Sequence, residues 1–174
     1  MVRSTFSNLS GKKQDRIRQA LLMEFSEYAL VKAQVARIVE TAGISRGAFY
    51  TYFADLTDAY QYLLETTLQE IHMAVPMEGP VVAPDQYIEK IRLFFTQVAN
   101  LNYLNFFQMH YRFNVGVLGA KPSKLVQADY GPARWAIMTL YHQTIQDCIL
   151  DPNRLEERLT QLQKVLEDRW IGGV

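Results

Sequence analysis

Apolar residues return every three or four positions along most of the chain, and no stretch alternates with the period of two that a half-buried strand shows. The expectation is an all-α protein. Ser10 is placed to cap a first long helix whose buried stripe is Ile17, Leu21, Phe25 and Ala29. A second, short periodic segment holds Val35, Ile38 and Val39, and Ala42-Gly43-Ile44-Ser45 interrupts it. Gly43 can take the left-handed conformation that ends a helix, and Ser45 can cap the next. That third helix, from about Arg46 to Tyr52, is too short to stand unless it packs on its neighbours. Ile44 and Phe49 are its expected anchors. Asp55 offers an N-cap for a fourth helix reaching His72, with Leu56, Tyr60, Leu63, Leu64, Thr67 and Ile71 on one broad face.

Pro76, Gly79, Pro80 and Pro84 remove backbone donors and resist helix, so this stretch is read as a loop between two parts of the chain. Ile88, Ile91, Phe95 and Val98 predict a further amphipathic helix, and Leu101 to Phe113 an unusually aromatic one closed by Gly116, Gly119 and Pro122. Between Ser123 and Ile149, Gly131-Pro132 either kinks one helix or separates a short helix from a longer one that begins at Pro132. Asp151-Pro152 is a cap and first-turn pair for a last helix carrying Leu155, Leu159, Leu162, Leu166 and Trp170. The sequence contains no internal repeat and no low-complexity tract.

Composition narrows the function classes. The chain of 174 residues is 49% hydrophobic, but its apolar residues are too interspersed with charge to suggest a membrane span. Residues 1–9 lack the apolar core of a secretory signal, and the single cysteine, Cys148, permits no intrachain disulfide, so a cytoplasmic home is expected. Formal net charge is zero, yet residues 1–50 carry eight lysines and arginines against four acids, leaving the remainder four charges negative. A basic head on an acidic body suits a protein whose head alone meets phosphates. His72, His110 and His142 are scattered, and neither a metal-ligand cluster nor a phosphate-binding glycine loop is present. No catalytic residue, metal or cofactor is therefore expected.

The run Val35-Ala36-Arg37-Ile38-Val39-Glu40-Thr41-Ala42-Gly43-Ile44-Ser45-Arg46-Gly47-Ala48-Phe49-Tyr50-Thr51-Tyr52-Phe53, followed by the cap at Asp55, resembles the DNA-binding region of the TetR family of transcriptional regulators. The resemblance covers roughly residues 10–70. It implies a three-helix helix-turn-helix head over 1–55, joined by the long fourth helix to a helical ligand-binding and dimerisation bundle within 56–174. It also implies that Ser45, Arg46, Gly47 and Ala48 lead a recognition helix into the major groove, with Tyr50 and Tyr52 near the phosphates. A recognition helix presents its first residues to base edges, and its N-terminus adds N–H groups and a positive dipole end. The family usually opens its second helix with hydroxyl residues where this chain has Lys32, Ala33 and Gln34, and Leu56 stands where the family has a lysine. Lys32, Gln34 and Arg37 complete the expected DNA-facing set.

Aromatic residues accumulate in the second half. Phe95, Tyr103, Phe106, Phe107, His110, Tyr111, Trp135 and Met138 are the candidates to line a pocket for a small hydrophobic or aromatic effector, since such pockets are mostly apolar with a few orienting polar groups. An ordinary core of large residues is the competing reading for each ring. The resemblance further implies a homodimer through the last two helices, about 132–149 and 152–170, and a repressor released from a palindromic double-stranded operator. Two other classes compete with it: a helical small-molecule binder or enzyme with a degenerate DNA head, and a protein–protein adaptor.

Overall fold

The computed structural model describes residues 4–75, 83–119 and 132–168. Every described regular element is helical, so the fold is all-α. In chain order the α-helices are α1 (Ser4–Ser7), α2 (Gly11–Glu27), α3 (Val35–Ala42), α4 (Arg46–Tyr52), α5 (Leu56–Ala74), α6 (Pro84–Asn100), α7 (Leu104–Met109), α8 (Val115–Leu118), α9 (Pro132–Leu150) and α10 (Leu155–Glu167). Short 3-10 turns at Leu30–Lys32 and Pro152–Arg154 precede α3 and α10, and a π-turn, His110–Asn114, joins α7 to α8. The chain forms two compact units, Met1–Ala74 with Leu101–Ala120, and Val75–Asn100 with Lys121–Val174.

In the first unit the periodic residues do what their spacing requires. Ile17, Leu21, Phe25, Ile38, Phe49 and Phe53 are fully buried, and α2 packs on α3, α5 and α7. Each large apolar side chain so buried contributes roughly 1.5–3 kcal/mol. One expectation is corrected at α2. The helix ends at Glu27, so Ala29 lies beyond it, half-buried, at the head of the 3-10 turn. Ser10 caps through its carbonyl, which accepts from Lys13 and Gln14 N–H at 2.9 and 3.0 Å, and its hydroxyl makes no cap bond. The short helix α1 has no marker in the sequence pattern. It puts Phe6, 2% exposed, against Tyr52, Phe53 and Tyr62 with ring centroids 5.0 to 5.8 Å apart.

The segment from Leu101 to Phe113 is not one regular helix. Asn102 is left-handed (φ 57°), α7 starts only at Leu104, and the π-turn follows. That turn buries Asn114 completely, where its Oδ1 accepts from Leu30 N–H at 2.9 Å.

In the second unit, α10 packs on both α6 and α9. The guanidinium of Arg92 on α6 grips the Glu156 carboxylate of α10 with both terminal nitrogens, and Arg158 Nη1 lies 2.9 Å from Asp147 Oδ2. Tyr87 meets Tyr141 edge-on with centroids 5.9 Å apart. Pro84 opens α6 instead of belonging to the loop before it, as a proline without an N–H can at a helix's first position. Asp151 and Pro152 are the cap and first position of a 3-10 turn that leads directly into α10, which itself begins at Leu155. Leu159 and Leu162 are buried while Leu155 and Leu166 are half-buried. Pro76, Gly79, Pro80, Pro122, Gly131 and Trp170 lie outside the described residues.

Candidate nucleic-acid interface

The turn between α3 and α4 is built by two residues. Gly43 sits at φ 61°, ψ 44°, a left-handed conformation that a side chain would strain, and Ile44 N–H then bonds back to Val39 O at 3.0 Å. Ser45 is extended and its Oγ accepts from Ala48 N–H at 3.1 Å, so one of the first amides of α4 is satisfied within the head.

The seven residues of α4 divide cleanly between two faces. Phe49, Tyr52 and the following Phe53 point into the core, whereas Ser45, Arg46, Gly47 and Tyr50 are exposed and Ala48 is half-buried. Arg46 and Tyr50, four apart, share the outer face: Arg46 Nη2 donates to Tyr50 Oη at 3.4 Å, and the guanidinium lies 5.7 Å from the ring centroid. A Cβ added at Gly47 would meet nothing closer than Ser45 Oγ at 3.9 Å, so the head's own packing does not demand glycine there. The first turn of α4 carries no acid.

The other expected DNA contacts are placed differently. Lys32 and Gln34 are exposed on the 3-10 turn and at the N-cap of α3. Tyr52 is 7% exposed and packs on Phe6, with Lys13 Nζ 5.9 Å over its ring. Arg37 is half-buried and engaged inside the head. Its Nε and Nη2 donate to the two oxygens of Glu24 at 2.8 and 2.5 Å, and Nη2 also donates to Lys32 O at 3.1 Å. Its guanidinium lies 3.8 Å from the Tyr28 ring centroid, and hydrogen bonding to Glu24 holds its pKa above the ordinary value. Glu24 itself is 5% exposed and accepts Gln34 N–H at 2.7 Å. Nothing within α3 itself points to Glu24, which belongs to α2. The signal in the sequence was an acid on the helix that otherwise supplies the head's apolar stripe.

The eight expected pocket residues fall into both compact units. Tyr103, Phe106, Phe107, His110 and Tyr111 belong to the first, and Phe95, Trp135 and Met138 to the second. Phe106 and Phe107 are buried, Phe106 lies 5.5 Å from the Tyr60 ring, and Tyr60 stands edge-on to Phe25 at 5.0 Å. The Tyr60 hydroxyl is 2.9 Å from His110 Nδ1. Burial pushes Tyr60 up to about 12 and His110 below its usual value. Tyr103 donates its hydroxyl to Glu70, which also receives Arg18 at 3.0 Å, and these three line a cavity of about 170 Å³ between α2 and α5. In the second unit Phe95 and Met138 are half-buried and Trp135 is 50% exposed.

Two short helices joined by a left-handed glycine, the second with one face in the core and the other outward, define a helix-turn-helix head. Residues 17–56 match the model of the bacterial regulatory proteins of the tetR family, a match confined to the head. Two solved structures share the fold at 19% identity. A TetR family transcriptional regulator from Chloroflexus aurantiacus J-10-FL aligns over 99% of this chain and 95% of its own, with a TM-score of 0.59. The fatty acid degradation regulator FadR from Bacillus halodurans aligns over 96% and 98%, with a TM-score of 0.50. No curated protein matches the chain. Among the described residues, no helix is long and apolar enough to cross a membrane.

Proposed function

We propose that this chain is a cytoplasmic DNA-binding transcriptional repressor, without enzymatic activity, that a small hydrophobic or aromatic effector releases from a palindromic operator. The observation that carries this reading is the outer face of α4, where Ser45, Arg46, Gly47 and Tyr50 stand exposed at the leading end of a helix whose other face is locked into the core. Arg46 can fork onto a guanine or take a phosphate, and the uncrowded backbone at Gly47 allows close approach to a groove. Ala48 follows Gly47 on the same turn, and Lys32 and Gln34, both exposed, serve the flanking phosphates in this reading. The functional division follows residues 1–55 for the head and 56–174 for sensing and dimerisation.

A homodimer through α9 and α10 sets two such helices about one DNA turn apart, roughly 34–36 Å, for a two-fold operator. The aromatic residues Phe95, Tyr103, Phe106, Phe107, His110, Tyr111, Trp135 and Met138 are the sensing set. An effector acts only by its differential affinity for the bound and released states.

Duplexes enriched by the protein from a random-sequence pool test this directly. Specific, salt-sensitive binding that falls at least about fivefold in Arg46→Ala is the expected result, that being the low end for a bidentate contact. Binding indifferent to Arg46, or no enrichment at all, removes the operator-binding reading.

A further inference from the structure

The sequence lacks hydroxyl residues at the opening of α3, yet the amide at that opening is not left to solvent alone. Glu24, reaching across from α2, accepts Gln34 N–H at 2.7 Å and is itself 5% exposed. A carboxylate that deep requires a partner, because an ionised group removed from water is costly unless it is paired and hydrogen-bonded. Arg37, one turn into α3, supplies that partner with two nitrogens on two oxygens, the bidentate fork that fixes geometry as well as charge. The same guanidinium donates to Lys32 O and covers the Tyr28 ring. The backbones of both Lys32 and Gln34, which carry the outward side chains beside α3, are thus tied to one buried carboxylate.

We propose that Glu24 and Arg37 are a positioning pair that caps α3 from outside the helix and sets Lys32 and Gln34 for the DNA backbone, and that Arg37 does not touch DNA itself. The part that concerns DNA rests on the operator-binding reading above. The capping part concerns the free protein. Arg37 commits Nε and Nη2 to Glu24 and Lys32 O, and swinging that guanidinium to a phosphate would strip a buried acid of its partner.

Amide hydrogen exchange of the free chain tests the cap. In Glu24→Ala, exchange at Gln34 should quicken about tenfold relative to the amide of Leu21 in the core, the loss of one charge-assisted hydrogen bond. Unchanged protection at Gln34 overturns the proposal whether or not the protein binds DNA.

Salt-dependent binding to the enriched duplexes tests Arg37. Arg37→Gln should lower affinity about fivefold or more while leaving the slope of log affinity against log salt where it was; a direct phosphate contact would reduce that slope by about 0.9. The double variant Glu24→Arg/Arg37→Glu puts the acid at the third position of α3, where a capping box returns it to the N-cap amide. It should regain Gln34 protection and most of the affinity despite a negative charge on that helix. A reduced slope in Arg37→Gln, or an affinity lower in the double variant than in Arg37→Gln with Gln34 protection restored, shows that Arg37 contacts DNA and overturns the assignment. If the wild-type chain enriches no duplex, the operator reading fails by itself and the exchange result decides the cap.

Discussion

Phe49 and Tyr50 are neighbours of similar shape with opposite surroundings, one fully buried and the other 39% exposed. The pattern of large apolar residues located Phe49, because a ring in that register of a short helix has only the core to face. Removing the Tyr50 hydroxyl in Tyr50→Phe leaves the core untouched. Thermal melting should shift by no more than about 1–2 °C while operator affinity falls, and an equal loss of both would reassign Tyr50 to packing. Tyr52 shows where reading by type runs out. Its burial depends on Phe6, 46 positions earlier, which no local pattern connects to it. His110 carries a pH consequence. Burial lowers its pKa, so below about 6.5 the unfolded chain takes up a proton that the folded chain resists. Its stabilising share is complete above that pH and drains away as pH falls toward the folded value. Melting temperature should therefore drop on acidification, and a His110→Gln variant, which has no imidazole to titrate, should lose that part of the drop.

At the scale of elements, the best-read boundaries are those with a chemical marker. Gly43, Ser45 and Asp55 each announce a stop or a start, and α4 runs from Arg46 to Tyr52 as its spacing predicts. The fourth-helix cap proves to be reciprocal. Asp58 N–H donates to Asp55 Oδ1 at 2.8 Å, and Ala54 N–H donates to Asp58 Oδ2 at 2.9 Å. Asp55→Ala should destabilise the fold by about 1 kcal/mol, read by denaturant unfolding, and a change near zero would show the carboxylate to be dispensable. Elements without a marker are not legible in the sequence. A π-turn has no distinctive sequence period, so His110–Asn114 passed as ordinary helix, and the 3-10 turn after Asp151 looked like the first turn of α10. The missing hydroxyl cap of α3 was visible as an absence. Its replacement, Glu24, was not, since the bond it makes crosses from one helix to another.

For the whole molecule, the helical class and the helix-turn-helix head are legible in the sequence, whereas the company each aromatic keeps is not. Phe106 and Phe95 look alike in a list of rings, but they are allotted to different compact units, which depends on the path of the chain and not on the residue type. The Leu30 amide bonded to Asn114 carries a consequence for biosynthesis. Helices α1 to α5 have been translated by the time Ala74 leaves the ribosome, yet the acceptor for that amide, and the Phe106 ring that lies against Tyr60, are still to come. At roughly 5–20 residues per second, several seconds separate the two. A nascent chain stalled after Ala74 should therefore be digested by protease across its head, and one released beyond Gly119 should resist.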